Sequence, residues 1–255
     1  MARPPFLVLR AAGTNCEIET AWALERSGAD PRTVHVGRLL ESPDLLKEAR
    51  GLVIPGGFSY GDDIAAGRIL ANQLKHHLAP ALAEFVERGG LVLGICNGFQ
   101  VLVKTGLLPG RYLPRFVQEV TLGWNDSNHY ECRWVHLECL PSKCRFLPPE
   151  GTVLRIPVAH AEGKLLPGKQ GDEKALEREG LAPLRYVTPA GESPAPFPWN
   201  PNGSAGGIAA LTDPSGRILG MMPHPERAML PWHVPGGGRP QGEEIFRRMV
   251  ALAAG

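Results

Sequence analysis

The chain has 255 residues, enough to bury a sizeable core, and its 27 Lys plus Arg against 26 Asp plus Glu leave a formal charge of +1. That balance leaves no basic surplus for a nucleic-acid face, and no apolar stretch is long enough to span a bilayer. The 31 glycines and 25 prolines exceed ordinary use, but 43% hydrophobic content argues for a folded chain rich in turns rather than a disordered one. Five cysteines, an odd number, fit free thiols in a reducing compartment better than a secreted disulfide framework. The apolar run Phe6–Leu9 is too short for a signal-peptide core, so a cytoplasmic protein is expected.

The first hundred residues alternate short apolar runs with amphipathic segments. Phe6–Leu9 reads as a strand. Thr14, Asn15, Cys16 and Glu17 have capping-box spacing, and a helix over Glu17–Arg26 stops at Gly28. Thr33–Val36 is a second strand, and Ser42-Pro43-Asp44 opens a short helix with Ser as cap. Leu52–Ile54 is a third strand, halted by Pro55-Gly56-Gly57. Helices are predicted over Ile64–Leu78 and Ala81–Arg88, a fourth strand over Leu91–Ile95, and a helix over Phe99–Lys104 ending at Gly106. Strands joined by helices predict right-handed crossovers and a doubly wound, mostly parallel α/β sheet.

The second half has another texture. Phe116–Leu122, Tyr130–Leu140, Thr152–Val158, Gly207–Leu211 and Arg217–Met221 are strand-like and predict an antiparallel extension of the sheet. Gln170–Gly180 is charged and suits a helix or a loop; Thr188–Ser204 is too rich in Pro to be regular. Glu243–Leu252 is a closing amphipathic helix. With no internal repeat and no clear linker, one domain over 1–255 is expected.

Three segments carry chemistry. Gly94-Ile95-Cys96-Asn97-Gly98 has the spacing of a nucleophile elbow and lies between an apolar strand and a helix. So sharp a turn tolerates little bulk two residues to either side, and it sets Cys96 at a helix N-terminus, where the dipole favours negative charge. The alternative is a core cysteine. His224, in Met222-Pro223-His224-Pro225-Glu226-Arg227, lies just beyond a strand end, and in an extended stretch Glu226 points the same way. Glu226 is then placed to orient a His224 base for Cys96; the alternative is a Pro-rich surface turn. Pro55-Gly56-Gly57-Phe58 follows an apolar strand at the ligand side of a parallel sheet, and its backbone N–H groups suit an oxyanion hole. The alternatives there are a plain Gly-rich turn or a phosphate loop, although no GxGxxG or Walker pattern accompanies it.

His129, Cys132, His136, Cys139 and Cys144 superficially resemble zinc spacing. Their neighbours read as sheet, and residues 132 and 139 have opposite parity, so no metal is expected. His35, His76 and His77 read as strand or helix residues without a role.

At these residues the chain resembles the class I glutamine amidotransferases. Gly94–Gln100 is similar to that family's nucleophile segment, Pro223–Arg227 to its His/Glu segment, and Pro55–Asp62 to its oxyanion strand. Further blocks resemble one subfamily, the glutaminase subunits of phosphoribosylformylglycinamidine synthase. These are Gly13–Cys16, Glu131–Val135, Arg155–His160 with Glu162-Gly163, and Asn200–Ser204. Ala161 stands where Gly is expected, and Asp63 onward departs from the usual run.

The resemblance implies a flavodoxin-like fold and a catalytic set of Cys96, His224 and Glu226. It also implies an oxyanion hole at Gly57, Phe58 and Asn97, and glutamine contacts at Gly56 and Gln100. Cys96 would form a thioester with glutamine, and the ammonia would pass to a separate synthetase subunit using ATP and Mg2+ to make formylglycinamidine ribonucleotide. A small third subunit is implied as well, with no cofactor in this chain, no nucleic acid and no membrane. An amidotransferase serving another synthase, a cysteine hydrolase, and a non-catalytic regulatory module on the same fold stay open at this point.

Overall fold

The computed structural model describes residues 2–168 and 172–255. Its first half follows the apolar runs. β1 (Pro5–Arg10), α1 (Glu17–Arg26) and β2 (Asp30–His35) lead into two short helices, α2 (Val36–Glu41) and α3 (Leu45–Glu48). Then come β3 (Gly51–Ile54), α4 (Arg68–Glu87), β4 (Leu91–Ile95) and α5 (Asn97–Thr105). Every residue of β3 and β4 is buried, as a strand covered on both faces must be.

The second half contributes β5 (Val120–Gly123), β6 (Glu131–Cys139), β7 (Val153–His160), β8 (Lys164–Pro167), α6 (Glu173–Arg178) and β9 (Leu184–Val187). It closes with β10 (Ile208–Thr212), β11 (Ile218–Met221) and α7 (Gly242–Ala254). Nine strands form one sheet in the order β2-β1-β3-β4-β11-β10-β9-β6-β7, and β5 pairs with β8 apart from it. β2, β1, β3, β4 and β11 run parallel, and β10, β9, β6 and β7 extend the sheet in antiparallel fashion. This is the expected doubly wound sheet with its antiparallel extension.

One pairing matters most. β11 lies beside β4 in parallel register, with Met221 opposite Ile95. The two chains therefore leave the sheet together at their carboxyl ends, one toward Cys96 and the other toward His224.

Several local expectations change. Thr14 does not cap α1: its Oγ1 accepts the Ala11 N–H at 3.0 Å, and Cys16 is the N-cap residue without a side-chain bond. The two helices expected on either side of Pro80 are one helix, α4, and the stretch from Ile64 to Gly67 precedes it as loop. Asp44, not Ser42, is the N-cap of α3. The pattern also misses α2, which His35 caps by accepting the Gly37 N–H at 3.1 Å, and the short strands β8 and β9. β5 begins at Val120, four residues later than expected at Phe116. The charged segment is helical over Glu173–Arg178, and its first residues, Gln170 and Gly171, lie outside the described residues. No described helix is long and apolar enough to cross a membrane.

Candidate active site

Cys96 sits between β4 and α5 at φ 51°, ψ −105°, a conformation an L-residue adopts only where its surroundings enforce it. Those surroundings are visible. A Cβ at Gly98 would lie 1.8 Å from the Ile54 carbonyl oxygen, and one at Gly94 would lie 2.7 Å from that of Gly98. The elbow needs both glycines because backbone, which cannot swing aside, occupies the space. Cys96 is 7% exposed, and its thiol points to the Ala159 carbonyl at 3.6 Å.

His224 leaves β11 in an extended conformation (φ −102°, ψ 88°), with its N–H donated to Pro157 O of β7 at 2.8 Å. His224 Nδ1–H donates to the Glu226 carboxylate at 2.6 Å, which leaves Nε2 as the nitrogen available to Cys96. Nε2 is buried and has no hydrogen bond of normal geometry. Such contacts in unliganded sites are often loose and tighten around substrate. Burial pulls the His224 pKa down, but the Glu226 carboxylate and Cys96 outweigh it and hold the ring well above its ordinary value. The turn at Pro225–Arg227 is a single 3-10 turn, so His224 and Glu226 do share a side, although not through a continuous strand.

A second thiol stands at the same imidazole. Cys16 is buried against the Nδ1–Cε1 side of His224, and Arg227 Nη2 donates to its sulfur at 3.2 Å while Arg227 Nε donates to Glu19 at 3.0 Å. Gly56 closes this corner, where a Cβ would fall 2.8 Å from His224 Cε1 and 3.1 Å from Cys16 Sγ. Gly56 thus gives the ring its space and does not line the cavity beside Cys96. Cys16, Glu19, His224 and Glu226 form the one group among the described residues whose donors, all within 4.8 Å of one another, could hold a metal ion. The Arg227 guanidinium already occupies that corner as its cation. The His129–Cys144 residues form no such group; Cys132 is exposed and Cys139 buried.

The cavity beside Cys96 measures about 350 Å³ and is walled by the loop after β3 and by residues Ala159–Glu162 at the end of β7. Asn97 and Gln100, one turn apart on α5, tie the two walls to the elbow. Asn97 Oδ1 accepts the Ser59 N–H at 3.2 Å, and its Nδ2 donates to Asp62 Oδ1 and to Gln100 Oε1, each at 3.0 Å. Gln100 Nε2 donates to Glu162 O at 2.6 Å. Gln100 lines the cavity as expected, yet both ends of its amide are committed to protein partners.

The oxyanion set needs one correction. The Phe58 N–H donates to Gly13 O at 3.0 Å, so it is not a free donor. Among the described residues the Gly57 N–H has no backbone acceptor, and Asn97 opens α5, where N–H groups lack a partner one turn earlier. Cys16, Asp62, His160, Glu162 and Arg227 also wall the cavity. They fall within the family-like blocks of the sequence, but nothing in their spacing announces a shared site; the register of β4, β7 and β11 brings them together.

Residues 3–251 match the CobB/CobQ-like glutamine amidotransferase domain. The chain belongs to that family. Phosphoribosylformylglycinamidine synthase subunit PurQ of Dehalococcoides mccartyi is 44% identical over 228 residues, covering 89% of this chain and 86% of the relative. The PurQ subunit of Archaeoglobus fulgidus is 40% identical over 260 residues, covering 95% and 94%. Among solved structures, a chain of PurLQS from Thermotoga maritima superposes with a TM-score of 0.75 at 30% identity, covering 98% of each chain. The resemblance seen in the motifs therefore extends over nearly all of the sequence, and this glutamine amidotransferase groups with the PurQ subunits.

Proposed function

We propose that this chain releases ammonia from glutamine at Cys96 and delivers it to a synthetase subunit. There, formylglycinamide ribonucleotide, ATP and the ammonia become formylglycinamidine ribonucleotide, ADP and phosphate, the amide oxygen leaving on the phosphate. The observation that carries the reading is the elbow cysteine, the buried His224–Glu226 pair and the cavity beside them, in a chain similar to PurQ subunits throughout. The PurLQS neighbour supports a synthetase partner; a small third subunit, and an ATP- and Mg2+-dependent step on the synthetase, are part of the same proposal.

In this mechanism Cys96 gives its proton to His224 Nε2 and attacks the side-chain amide carbon. The S–C bond forms, and the carbonyl electron pair moves to oxygen, against the N–H groups of Gly57 and Asn97. His224 then protonates the amide nitrogen, the C–N bond breaks, and ammonia leaves a γ-glutamyl thioester. Water attacks the thioester while His224 takes its proton; the S–C bond breaks, and glutamate and the free thiol result. Fixed donors of this kind are each worth about 2.7–4 kcal/mol.

The test is to combine the chain with its synthetase and follow glutamine-dependent amidine formation. Turnover that requires both proteins supports the reading. A complex that uses free ammonia but never glutamine contradicts it.

A further inference from the structure

The catalytic base belongs to a second cluster that the triad does not use. Cys16 Sγ, a ring nitrogen of His224 and one carboxylate oxygen each of Glu19 and Glu226 all lie within 4.8 Å of one another. Cys16, His224 and Glu226 are buried, and Glu19 is half-buried. Two elements supply them: α1 with its N-cap residue Cys16, and the turn after β11. One thiol, one imidazole and two carboxylates make four donors of the types that bind zinc tetrahedrally. A mixed sulfur, nitrogen and oxygen set also favours a thiophilic ion over Mg2+ or Ca2+, which take oxygen donors.

An independent observation points to a ligand. Glu226 Oε2 is buried among the described residues with no partner, while Oε1 is committed to His224 Nδ1. A carboxylate oxygen left unpaired inside a protein is costly. Arg227 is the cation of this corner, but it donates to Cys16 and Glu19 and makes no hydrogen bond to Glu226. Its side chain is 37% exposed. With Asn15 it lines both the cavity beside Cys96 and a more open cleft of about 750 Å³ along α1. Arg227 therefore has room to turn into that cleft, keep its charge in water and uncover the thiol. Burial raises the Cys16 pKa, and the Glu226 charge adds to the rise, so the sulfur keeps its proton beside the guanidinium. A dipositive ion bonded to sulfur removes that proton outright.

We infer that Cys16, Glu19, His224 and Glu226 form an inhibitory zinc site that takes the catalytic base out of use. As the sulfur–metal bond forms, the Cys16 proton leaves to solvent. Nδ1, the ring nitrogen 2.6 Å from Glu226, gives its lone pair to the ion in place of a proton, and Glu226 turns from that proton to the ion. The imidazole keeps one proton, on Nε2. It then faces Cys96 as a donor and cannot accept the thiol proton, so zinc inhibits without touching the nucleophile. Metal binding follows from the donors alone; that it inhibits rests on the glutaminase reading.

The probes are Co2+, whose bond to a thiolate absorbs in the near ultraviolet, for the full chain, and Zn2+ for the complex with the synthetase. All proteins carry Cys132→Ser, which removes the exposed thiol. Cys96→Ala is expected to bind one Co2+ with that absorption, to lose it when Zn2+ displaces the cobalt, and to show none once Cys16→Ser is added. Glutamine-dependent turnover by the complex should fall on adding Zn2+, return on chelation and resist excess Mg2+; ammonia-dependent turnover controls for zinc acting on the synthetase. Relative to each protein's own uninhibited rate, Cys16→Ser and Glu19→Gln should each raise the half-inhibiting Zn2+ concentration at least about 10-fold, since even the outer partners of metal ligands are worth that much. Glu19 is half-buried and its Gln still accepts from Arg227, so this variant keeps the test valid if Cys16→Ser unfolds. Cys96→Ala without the thiolate absorption, cobalt bound through Cys16 without inhibition by zinc, or equal zinc sensitivity in all three proteins overturns the inference. A chain that binds cobalt through Cys16 while its complex never turns over glutamine overturns the glutaminase reading instead, a result distinct from a missing site.

Discussion

Glu226→Gln perturbs the site with almost no change in shape. Glu226 Oε1 accepts the His224 Nδ1 proton at 2.6 Å in a pair whose side chains are 2% and 0% exposed, and Oε2 has no partner. The amide oxygen can still accept from Nδ1, but the amide NH2 must take the place of Oε2, where no acceptor waits. A buried donor left unpaired costs about 1–3 kcal/mol, which in a chain of this size lowers Tm by a few degrees to about 10 °C. The imidazolium also loses its counter-charge during transfer of the proton. Charge-assisted hydrogen bonds are worth about 1.5–3 kcal/mol, so kcat/KM for glutamine is expected to fall about 10- to 150-fold.

The pH profile supplies the sharper readout. His224 is held above its ordinary pKa, against burial, by Glu226 and Cys96. His224 must be neutral to take the Cys96 proton, so its pKa sets the acidic limb of kcat/KM; removing the carboxylate lets burial dominate and moves that limb to lower pH. Stability follows the same sign. A raised histidine contributes fully below its unfolded pKa, near 6.5, and loses that contribution as pH rises through its folded value. The variant lacks that loss. Unchanged kcat/KM together with an unchanged acidic limb in Glu226→Gln would refute the orienting role.

Gly98→Ala forces a methyl group into the Ile54 carbonyl, so thermal unfolding should show a large fall in Tm and the elbow should lose glutaminase activity; a normal Tm would show that α5 can shift freely. His160 titrates near 3 when folded and near 6.5 when unfolded, because burial disfavours its charged form. Its contribution is present above the unfolded value and is lost as pH falls toward the folded one, by about 1.4 kcal/mol per pH unit. Denaturant titrations from pH 7 to pH 4 should show this slope in wild type and lose it in His160→Asn. Thiol alkylation at pH 8 should label exposed Cys132 and spare Cys139 and Cys144, whose pKa values burial raises to about 12; rapid labelling of Cys139 or Cys144 would contradict those raised values.

The parts of the fold legible in the sequence are those where one rule acts alone. Leu91–Ile95 is apolar at every position but Gly94, and it is a strand buried on both faces. The elbow glycines were readable because their reason is steric, and the collisions with Ile54 and Gly98 backbone supply it. Elements set by competition were not readable. Pro80 looks like a boundary, yet α4 runs through it with Leu74, Leu78, Leu82 and Phe85 all buried, so packing on both sides outweighs one lost hydrogen bond. Thr14 has the spacing of a cap but turns its hydroxyl to Ala11. β8 and β9 are four residues each and exist only through their partners, β5 for the first and β6 and β10 for the second.

The site divides the same way. Cys96, His224 and Glu226 carry local signatures. That Cys16, Asp62 and Glu162 meet at one cavity depends on which loops come together, and that is set by strand order. Phe58 shows the limit of the motif: the loop is where an oxyanion donor belongs, but its N–H is spent on Gly13.

The central claim is that Cys96 carries the acyl group. Its most direct test is to quench the working complex with isotopically labelled glutamine and map the adduct by mass spectrometry. The γ-glutamyl mass should appear on the peptide containing Cys96, in amounts that grow when hydrolysis is slowed, and it should be absent from Cys96→Ala together with glutamine-dependent activity. Cys16, a second thiol at the same imidazole, is the internal control. An adduct on Cys16, or undiminished glutamine turnover in Cys96→Ala, would contradict the account.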